Sequence, residues 1–336
     1  MEGLLIIDKP AGPTSHDVVA RVRRLLHESR IGHTGTLDPA ASGVLPVVLG
    51  RATRLARYLS SASKDYEAVV RLGFATTTAD AAGDPVGPVF NGQLPDRAAV
   101  EAALHAFRGT FMQQPPAFSA KKIGGERSYV LARRQGRAGQ AGRAGQAGAL
   151  HASSFLPTSP ALPASPALPA PVSVTTHSLD LLGVDGDLVR LRVECSAGFY
   201  VRALAQDLGV SLGTGGHLAG LRRTRSGSAL IEAAVPLGDL DRRPELAREH
   251  LIPMSAMLSD FPLLVLSEEG VRHTVQGRVL TARDFADGVP PGPPAGGHEG
   301  LPPVRLLTPS GELLALATWQ AAHSASPVLH PSVVLG

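Results

Sequence analysis

The sequence predicts a fold that combines α-helices with β-strands and ends in a small β-rich unit. Apolar and polar residues alternate over 66–74 and again over 189–195, which is the period of a half-buried strand. The apolar residues of 18–26 instead share one face at helical spacing. Short apolar runs bounded by turn residues continue beyond residue 261, and they predict the β-rich unit.

The first half of the chain begins with a short buried strand and a capped helix. The strand is predicted over 4–8 and ends at a Pro/Gly-rich turn. Thr14 is expected to cap the helix, with Asp17 as the acidic partner of a capping box. The further elements predicted in this half are a short helix over 53–59, the strand over 66–74 and a helix over 100–107 that ends at Gly109.

The second half is predicted to contain a hairpin, a helix and the β-rich unit. Strands over 172–182 and 188–195 flank a turn at Asp185-Gly186-Asp187. A helix carrying Leu204 and Leu208 follows. Beyond residue 255 the predicted elements are strands over 261–266, 304–308 and 313–318 and a helix near 268–276.

Two stretches differ in composition and are predicted as insertions. Hexapeptide repeats fill most of 136–171 and offer too little apolar surface to order themselves, which predicts a disordered low-complexity loop. A Pro/Gly-rich stretch at about 282–303 interrupts the C-terminal unit. The predicted organisation is a larger domain over 1–255 and a smaller one over 256–336.

The arginines are clustered although the 336-residue chain carries a net charge of only +3. A basic cluster attracts a polyanion even on a nearly neutral molecule, so the clusters favour nucleic-acid binding over solvated helix faces. The clusters are Arg21, Arg23 and Arg24; Arg51, Arg54 and Arg57; Arg133, Arg134 and Arg137; and Arg222, Arg223 and Arg225.

Composition indicates neither a disulfide within the chain nor a metal site nor a membrane span. Cys195 is the single cysteine and is expected to be an inert core thiol, and the twelve histidines show no pair at metal-ligand spacing. No apolar stretch approaches the roughly 20 residues that span a bilayer, and the first residues lack a secretory signal. A cytoplasmic protein is therefore expected.

The segment around Asp38 is the most informative part of the chain. Asp38 is the one carboxylate of 30–45, and several glycines together with Pro39 bend the backbone around it. A carboxylate held at a fixed angle can act as a nucleophile or a general base. The alternative is an Asp-Pro turn in which Asp38 hydrogen-bonds its own backbone. With His33 nearby, both interpretations remain open on these residues alone.

Four segments resemble, in the same order, the motifs of the TruB family of bacterial tRNA pseudouridine-55 synthases. They are 5–10 with Asp8-Lys9-Pro10, 32–50 with Gly35-Thr36-Leu37-Asp38-Pro39, 64–73, and 195–221 with Gly198-Phe199-Tyr200-Val201-Arg202. A stretch at about 108–135, with Phe118 to Lys122, Tyr129 and Arg133, is similar to the family's RNA-gripping insertion. The resemblance covers the chain apart from the two insertions.

This resemblance implies an α+β pseudouridine-synthase fold, with a long mixed, mainly antiparallel sheet flanked by helices and a small C-terminal β-rich PUA-like domain that binds RNA. It implies an isomerase that converts uridine to pseudouridine at position 55, in the TΨC loop of tRNA, after the base has been flipped out of its stack. No metal or other cofactor and no obligatory protein partner are implied. A monomer acting on the T stem-loop is expected.

The resemblance also implies the site residues. Asp38 matches the family's essential aspartate, and Arg202 matches the arginine that keeps this carboxylate charged and oriented. Tyr66 resembles the ring that stacks on the flipped uracil, and His33 the residue that enters the T loop as the base leaves. The remaining predicted substrate-binding residues are Tyr200, Leu221, Lys9 and Pro10. For Lys9 and Pro10 a purely structural role stays open, as does the chemical role of Asp38 between attack on the sugar, attack on the base and proton removal.

Two other functions remain open. His33 and the arginine clusters would suit a tRNA-folding chaperone whose activity does not depend on catalysis. A guide-RNA-dependent subunit of the dyskerin type would share the Asp38 motif. The start of the chain almost directly at its first strand favours the stand-alone bacterial form over the dyskerin type.

Overall fold

The computed structural model divides into two compact units. The first combines residues 1–64 with 223–336, and the second is 65–222. The predicted domain boundary at 255/256 lies inside the first unit, and this domain division stays a prediction. The structure describes residues 1–116, 122–123, 126–127, 169–288, 301–320 and 328–336.

The described residues contain the following regular elements. The strands are β1 (Gly3–Lys9), β2 (Ile31–His33), β3 (Ser42–Leu49), β4 (Lys64–Leu72), β5 (Ala75–Thr76), β6 (Pro85–Val86), β7 (Gly109–Gln113), β8 (Lys122–Ile123), β9 (Glu126–Arg127), β10 (Val172–Asp185), β11 (Leu188–Cys195), β12 (Gly216–Ser226), β13 (Ala229–Leu230), β14 (Val235–Pro236), β15 (Leu263–Val265), β16 (Val304–Leu307), β17 (Leu313–Gln320) and β18 (Val328–Val334). The α-helices are α1 (Ser15–Leu26), α2 (Ala56–Ser60), α3 (Arg97–Leu104), α4 (Val201–Ser211), α5 (Leu237–Arg242), α6 (Leu246–Glu249) and α7 (Glu268–Val275). Short 3₁₀ turns lie at Gly50–Leu55, His105–Phe107, Ile231–Ala233, Met254–Ala256 and Ala282–Asp284.

The first unit is built around the buried strand β1. It pairs antiparallel with β3 and parallel with β14, and β3 also pairs with β2. The predicted capping box of α1 is confirmed, because Thr14 accepts the N–H of Asp17 while the Asp17 carboxylate accepts the N–H of Thr14. The apolar face of α1 is buried at Val18, Val19 and Val22. The helix and the two strands therefore position the loop that connects β2 to β3.

The C-terminal part of the first unit is a four-stranded sheet in the order β15-β16-β17-β18. Leu316 and Leu335 from this part pack in one apolar cluster with Leu4, Val48 and Leu55 from the N-terminal part. The predicted β-rich unit is confirmed as a sheet. Strand β18 was not predicted because a proline interrupts its apolar pattern, and an edge strand tolerates that proline.

Strands β4, β11, β10 and β7 follow one another in the second unit, and β12, next to β4 in the strand order, belongs to this unit up to residue 222 and to the first unit from residue 223. Burial alternates strictly along β4, as its sequence predicts. The predicted hairpin is confirmed, but its first strand continues to Asp185 and leaves a two-residue turn in which Gly186 has a φ of +58°. The main sheet has ten strands, mixed and mainly antiparallel, and is accompanied by helices, which confirms the predicted fold class.

Most of the RNA-gripping insertion, residues 128–168 and residues 289–300 lie outside the described residues. Cys195 is buried, as expected. Within the described ranges, none of the helices combines the length and the apolar character that a membrane span requires.

Candidate active site

Asp38 lies in the loop between β2 and β3 of the first unit. Its main-chain carbonyl accepts the N–H of Ala41 at 3.1 Å, so the backbone turns at this point, and the two interpretations of the Asp38 side chain both stay predictions. The preceding residue, Leu37, is buried, and the hydroxyl of Ser15 bonds both its carbonyl oxygen (3.1 Å) and its N–H (2.9 Å). These contacts fix the backbone immediately before Asp38.

The ammonium group of Lys9 also restrains this loop. Lys9 is fully buried at the end of β1. Its Nζ donates to the carbonyl oxygens of Pro10 (2.9 Å), Pro13 (2.9 Å) and Pro39 (3.2 Å). Burial lowers the pKa of Lys9 to about 8, while the Asp38 charge opposes this shift and the Arg223 charge adds to it. The contacts support a structural role for Lys9, and Pro10 itself is exposed.

Arg223, from β12, binds both ends of the same loop. Its Nε donates to the Val44 carbonyl at 2.7 Å and its Nη2 to the Gly35 carbonyl at 2.8 Å. The side chain is 1% exposed. This member of the predicted basic clusters donates to backbone carbonyls inside the protein. It therefore cannot form part of an RNA-facing surface.

His33 ends strand β2 as a half-buried, neutral imidazole. Burial lowers its pKa to about 4, and electrostatic interactions with His16 and then with Arg223 add to that shift. The ring of His16 packs edge-on against it, with 5.2 Å between the ring centroids. Among the described residues, its buried Nδ1 has no hydrogen-bond partner. At neutral pH this ring offers a flat, uncharged surface.

Arg202 stands in the first turn of α4 in the second unit. The side chain is 6% exposed, and its Nη1 donates to the Thr78 carbonyl at 3.1 Å. Its Nε lies 3.8 Å from Oδ2 of Asp80, a carboxylate that is itself only 14% exposed. A buried guanidinium with a carboxylate partner keeps one orientation, as a residue that must orient a second group requires.

Asp80, which no sequence pattern indicated, organises the loop beside Arg202. Its Oδ1 accepts from the Thr78 hydroxyl (2.5 Å) and from the Ala82 N–H (3.0 Å). Ala79, between them, is buried with a φ of +59°, a conformation that non-glycine residues rarely adopt. Backbone strain of this kind clusters at functional sites. The signal in the sequence was weak, because one aspartate in a Thr/Ala-rich turn predicts only a turn.

The other predicted residues of the second unit lie on β4, on β12 and before α4. Tyr66 is buried on β4, and Leu221 is half-buried on β12. Tyr200 precedes α4, where the side-chain amide of Gln113 accepts its N–H at 2.8 Å and donates to its carbonyl at 3.0 Å. The predicted grouping of these residues and Arg202 with Asp38 stays a prediction.

Further arginines of the predicted basic clusters are engaged by protein groups. Arg21 forms an ion pair with Asp241 at 2.5 Å and Arg51 with Glu2 at 2.6 Å. The basic clusters therefore contribute to contacts within the protein as well as to surface charge.

The described residues include no group of three or more His, Cys, Asp or Glu side chains that could hold a metal ion.

Two family models match the chain, and their matched ranges include part of the candidate site. The N-terminal domain of the TruB family of pseudouridylate synthases matches residues 23–149, which include Asp38 and Tyr66. The C-terminal domain of tRNA pseudouridylate synthase B matches residues 202–259, which include Arg202 and Arg223.

Relatives match over the length of the chain. It is 37% identical to tRNA pseudouridine synthase B of Solibacter usitatus over 100% of both chains, and 41% identical to the protein of that name from Thermobifida fusca over 98% of both. It also resembles a chain in the crystal structure of a Cbf5-Nop10-Gar1 complex, with a TM-score of 0.68 and 25% identity, covering 99% of this chain and 85% of that one.

Replacing Lys9 by methionine tests whether its ammonium is buried. The pKa of Lys9 lies below the ordinary 10.5, so the folded state binds fewer protons between about pH 8 and 10.5, and stability rises with pH in that window. We expect the free energy of unfolding of the wild type, relative to Lys9→Met, to increase by about 2 kcal/mol from about pH 7.5 to about pH 10. Urea unfolding measures it, and a difference independent of pH would contradict the assignment.

An NMR titration tests the neutrality of His33. With its pKa near 4, the His33 ring should show no change in its Cε1–Hε1 resonance between about pH 8 and about pH 5, where an ordinary imidazole titrates. The His33→Gln variant identifies the resonance by its disappearance. A midpoint near the ordinary value of about 6.5 would show that the ring is hydrated and chargeable.

Proposed function

This chain belongs to the TruB family of pseudouridylate synthases, and on that premise we propose that it isomerises uridine to pseudouridine at position 55, in the T loop of tRNA. The observation that carries the proposal is the restrained loop that presents Asp38. Lys9, Ser15 and Arg223 bind the backbone of this loop, and Asp38, whose motif resembles that of the family's aspartate, is proposed to act there.

The reaction explains why one well-placed carboxylate is needed. The bond from C1′ of the ribose to N1 of uracil breaks, the base turns, and C1′ bonds to C5 instead. The proton on C5 is lost and N1 gains one, so no external reactant is consumed. Asp38 acts at this junction as a nucleophile towards the sugar, as a nucleophile towards the base, or as a base that removes a proton.

Arg202 is proposed to keep Asp38 ionised and oriented. A carboxylate in a mostly apolar pocket gains a proton unless a cation lies beside it. The contacts of Arg202 with the Thr78 carbonyl and the Asp80 carboxylate hold its guanidinium in place before any substrate binds. Pre-positioned charge of this kind stabilises a transition state without reorganisation.

Base flipping is assigned to the aromatic residues. Extruding the uridine costs a few kcal/mol of lost stacking, which a ring platform offsets. Tyr66 would stack on the uracil, and the neutral ring of His33 would fill the space that the base leaves in the T loop. Tyr200, Leu221 and Pro10 would line the pocket.

The proposed partner is the T stem-loop of tRNA, bound by a monomer in the cytoplasm without an obligatory protein partner. Exposed arginines such as Arg24 and Arg57 would contribute the phosphate contacts. The C-terminal sheet is proposed to act as the PUA-like RNA-binding domain. Arg223, which is buried, does not contribute to this surface.

Replacing Asp38 by asparagine should abolish pseudouridine formation and leave RNA binding nearly intact. The amide has the size of the carboxylate but lacks its charge, its nucleophilicity and its basicity. Pseudouridine mapping in a T-arm minihelix, together with the dissociation constant from filter binding, measures both effects. Retained turnover in the variant would end the proposal.

The wild type and Asp38→Asn also distinguish the two alternative functions from the proposed one. A chaperone that works without catalysis predicts that Asp38→Asn still accelerates tRNA folding, an activity compatible with the isomerase. A guide-RNA-dependent enzyme predicts that the purified chain has no activity on bare tRNA. Turnover by the chain alone would exclude the guide-dependent alternative.

Asp80→Asn tests the support of Arg202. The amide oxygen can still accept from Thr78 and Ala82, but the charge beside Arg202 is lost. We expect the single-turnover rate to fall roughly 10- to 100-fold, as misplacement of a catalytic group does, with little change in RNA affinity. Asp84→Asn, an exposed carboxylate of the same loop, is the matched control and should keep the wild-type rate. Equal rates in the two variants would contradict the role of Asp80.

A further inference from the structure

We propose that Arg223 is a positioning residue for the reaction, because its guanidinium fixes both ends of the loop that presents Asp38. The inference rests on the proposed function. It assigns a catalytic consequence to a residue that the sequence placed in an RNA-facing cluster and that the structure buries.

The geometry of the two hydrogen bonds indicates that the Arg223 guanidinium holds the two ends of the loop at a fixed separation, an arrangement called the clamp below. Gly35 lies three residues before Asp38 and Val44 six residues after it, and one guanidinium binds both carbonyl oxygens, at 2.8 Å and 2.7 Å. The planar guanidinium is rigid, so it sets the distance between the two carbonyls. A lysine at this position would present its donors from a single nitrogen, so it could not reproduce the spacing that Nε and Nη2 impose on the two carbonyls.

Two glycines show that the backbone is adapted to this contact. A Cβ on Gly43, whose φ is +101°, would lie 2.1 Å from the carbonyl oxygen of Arg223. A Cβ on Gly35, whose φ is +72°, would lie 3.3 Å from Nη1 of the same side chain. Any other residue at 43 would push β12 away from the loop. The close approach of Arg223 to the loop therefore depends on glycine at both positions.

The charge of Arg223 also reaches the residues around Asp38. Burial is the main cause of the lowered pKa of Lys9 and of His33, the Arg223 charge adds to both shifts, and Lys9 in turn interacts with the Asp38 charge. Two buried cations, Lys9 and Arg223, thus bind the one loop that carries the Asp38 carboxylate. A buried charge is expensive unless opposite charge or dipoles compensate it, and the carboxylate of the loop supplies a negative neighbour. Arg223 therefore affects both the shape of the loop and its electrostatic potential.

The test measures single-turnover rates on a T-arm minihelix at saturating protein for the wild type and for Arg223→Lys, which keeps the charge but not the clamp. We expect the rate to fall roughly 10- to 100-fold while the dissociation constant for RNA changes less than about twofold. Added methylguanidinium should restore part of the rate to Arg223→Ala. A residue that only stabilises the fold would show neither the separation of rate from affinity nor the rescue.

Arg305→Lys is the matched control. Arg305 is another buried arginine of the first unit that donates to backbone carbonyls, at Phe261, Ser255, Met257 and Ser259. Its substitution should lower the melting temperature and leave the single-turnover rate unchanged. A wild-type rate in Arg223→Lys, or equal losses in both variants, would overturn the inference.

Gly35→Ala provides a second route if Arg223 variants fold poorly. It keeps the arginine but strains the loop end that the guanidinium binds, and it should give the same loss of rate at unchanged affinity. A wild-type rate in Gly35→Ala would likewise count against the clamp. If the wild-type protein forms no pseudouridine, the proposed function fails and this inference fails with it. An active wild type with unaffected variants overturns the inference alone.

Discussion

A loop without regular secondary structure can hold a reactive carboxylate in place only if its backbone groups have fixed partners. Here three side chains supply them: Ser15 at Leu37, Lys9 at Pro39 and Arg223 at Gly35 and Val44. Buried carbonyls that lose water need donors, and leaving one unpaired costs about 1–3 kcal/mol. The same bonds therefore contribute to stability and to the geometry of Asp38.

In the second unit the restrained group is a cation, and its partners are a carbonyl oxygen and a carboxylate. Arg202 is the residue proposed to act on Asp38, and the loop beside it supplies a carbonyl at Thr78 and a carboxylate at Asp80. The left-handed backbone of Ala79 is the conformational cost of this arrangement. In both units, polar side chains and a backbone conformation of positive φ hold one candidate functional group in place.

Arginine in this protein has more than one use. Arg51 and Arg54 donate to carbonyl oxygens of Leu335 and Val334 at the C-terminal end, and Arg305 binds the carbonyls of 255–261. These bonds accompany the apolar cluster that joins the C-terminal sheet to the N-terminal strands. A count of arginines therefore overestimates the surface available to a polyanion, since a guanidinium satisfies several carbonyls as well as it pairs with phosphates.

The sequence by itself determined the elements whose signals are local. Side-chain periodicity predicted β4, the capping box predicted the start of α1, and the motif around Asp38 predicted which loop carries the candidate carboxylate. Only the tertiary structure decided which groups restrain the site. Arg223 and Gly35 are 188 positions apart, and Arg202 and Thr78 are 124 apart. No periodic pattern connects such positions, because their contact depends on strand order and on loops whose conformation packing selects. Lys9, Asp80 and Arg223 therefore acquired their roles only once the chain was folded.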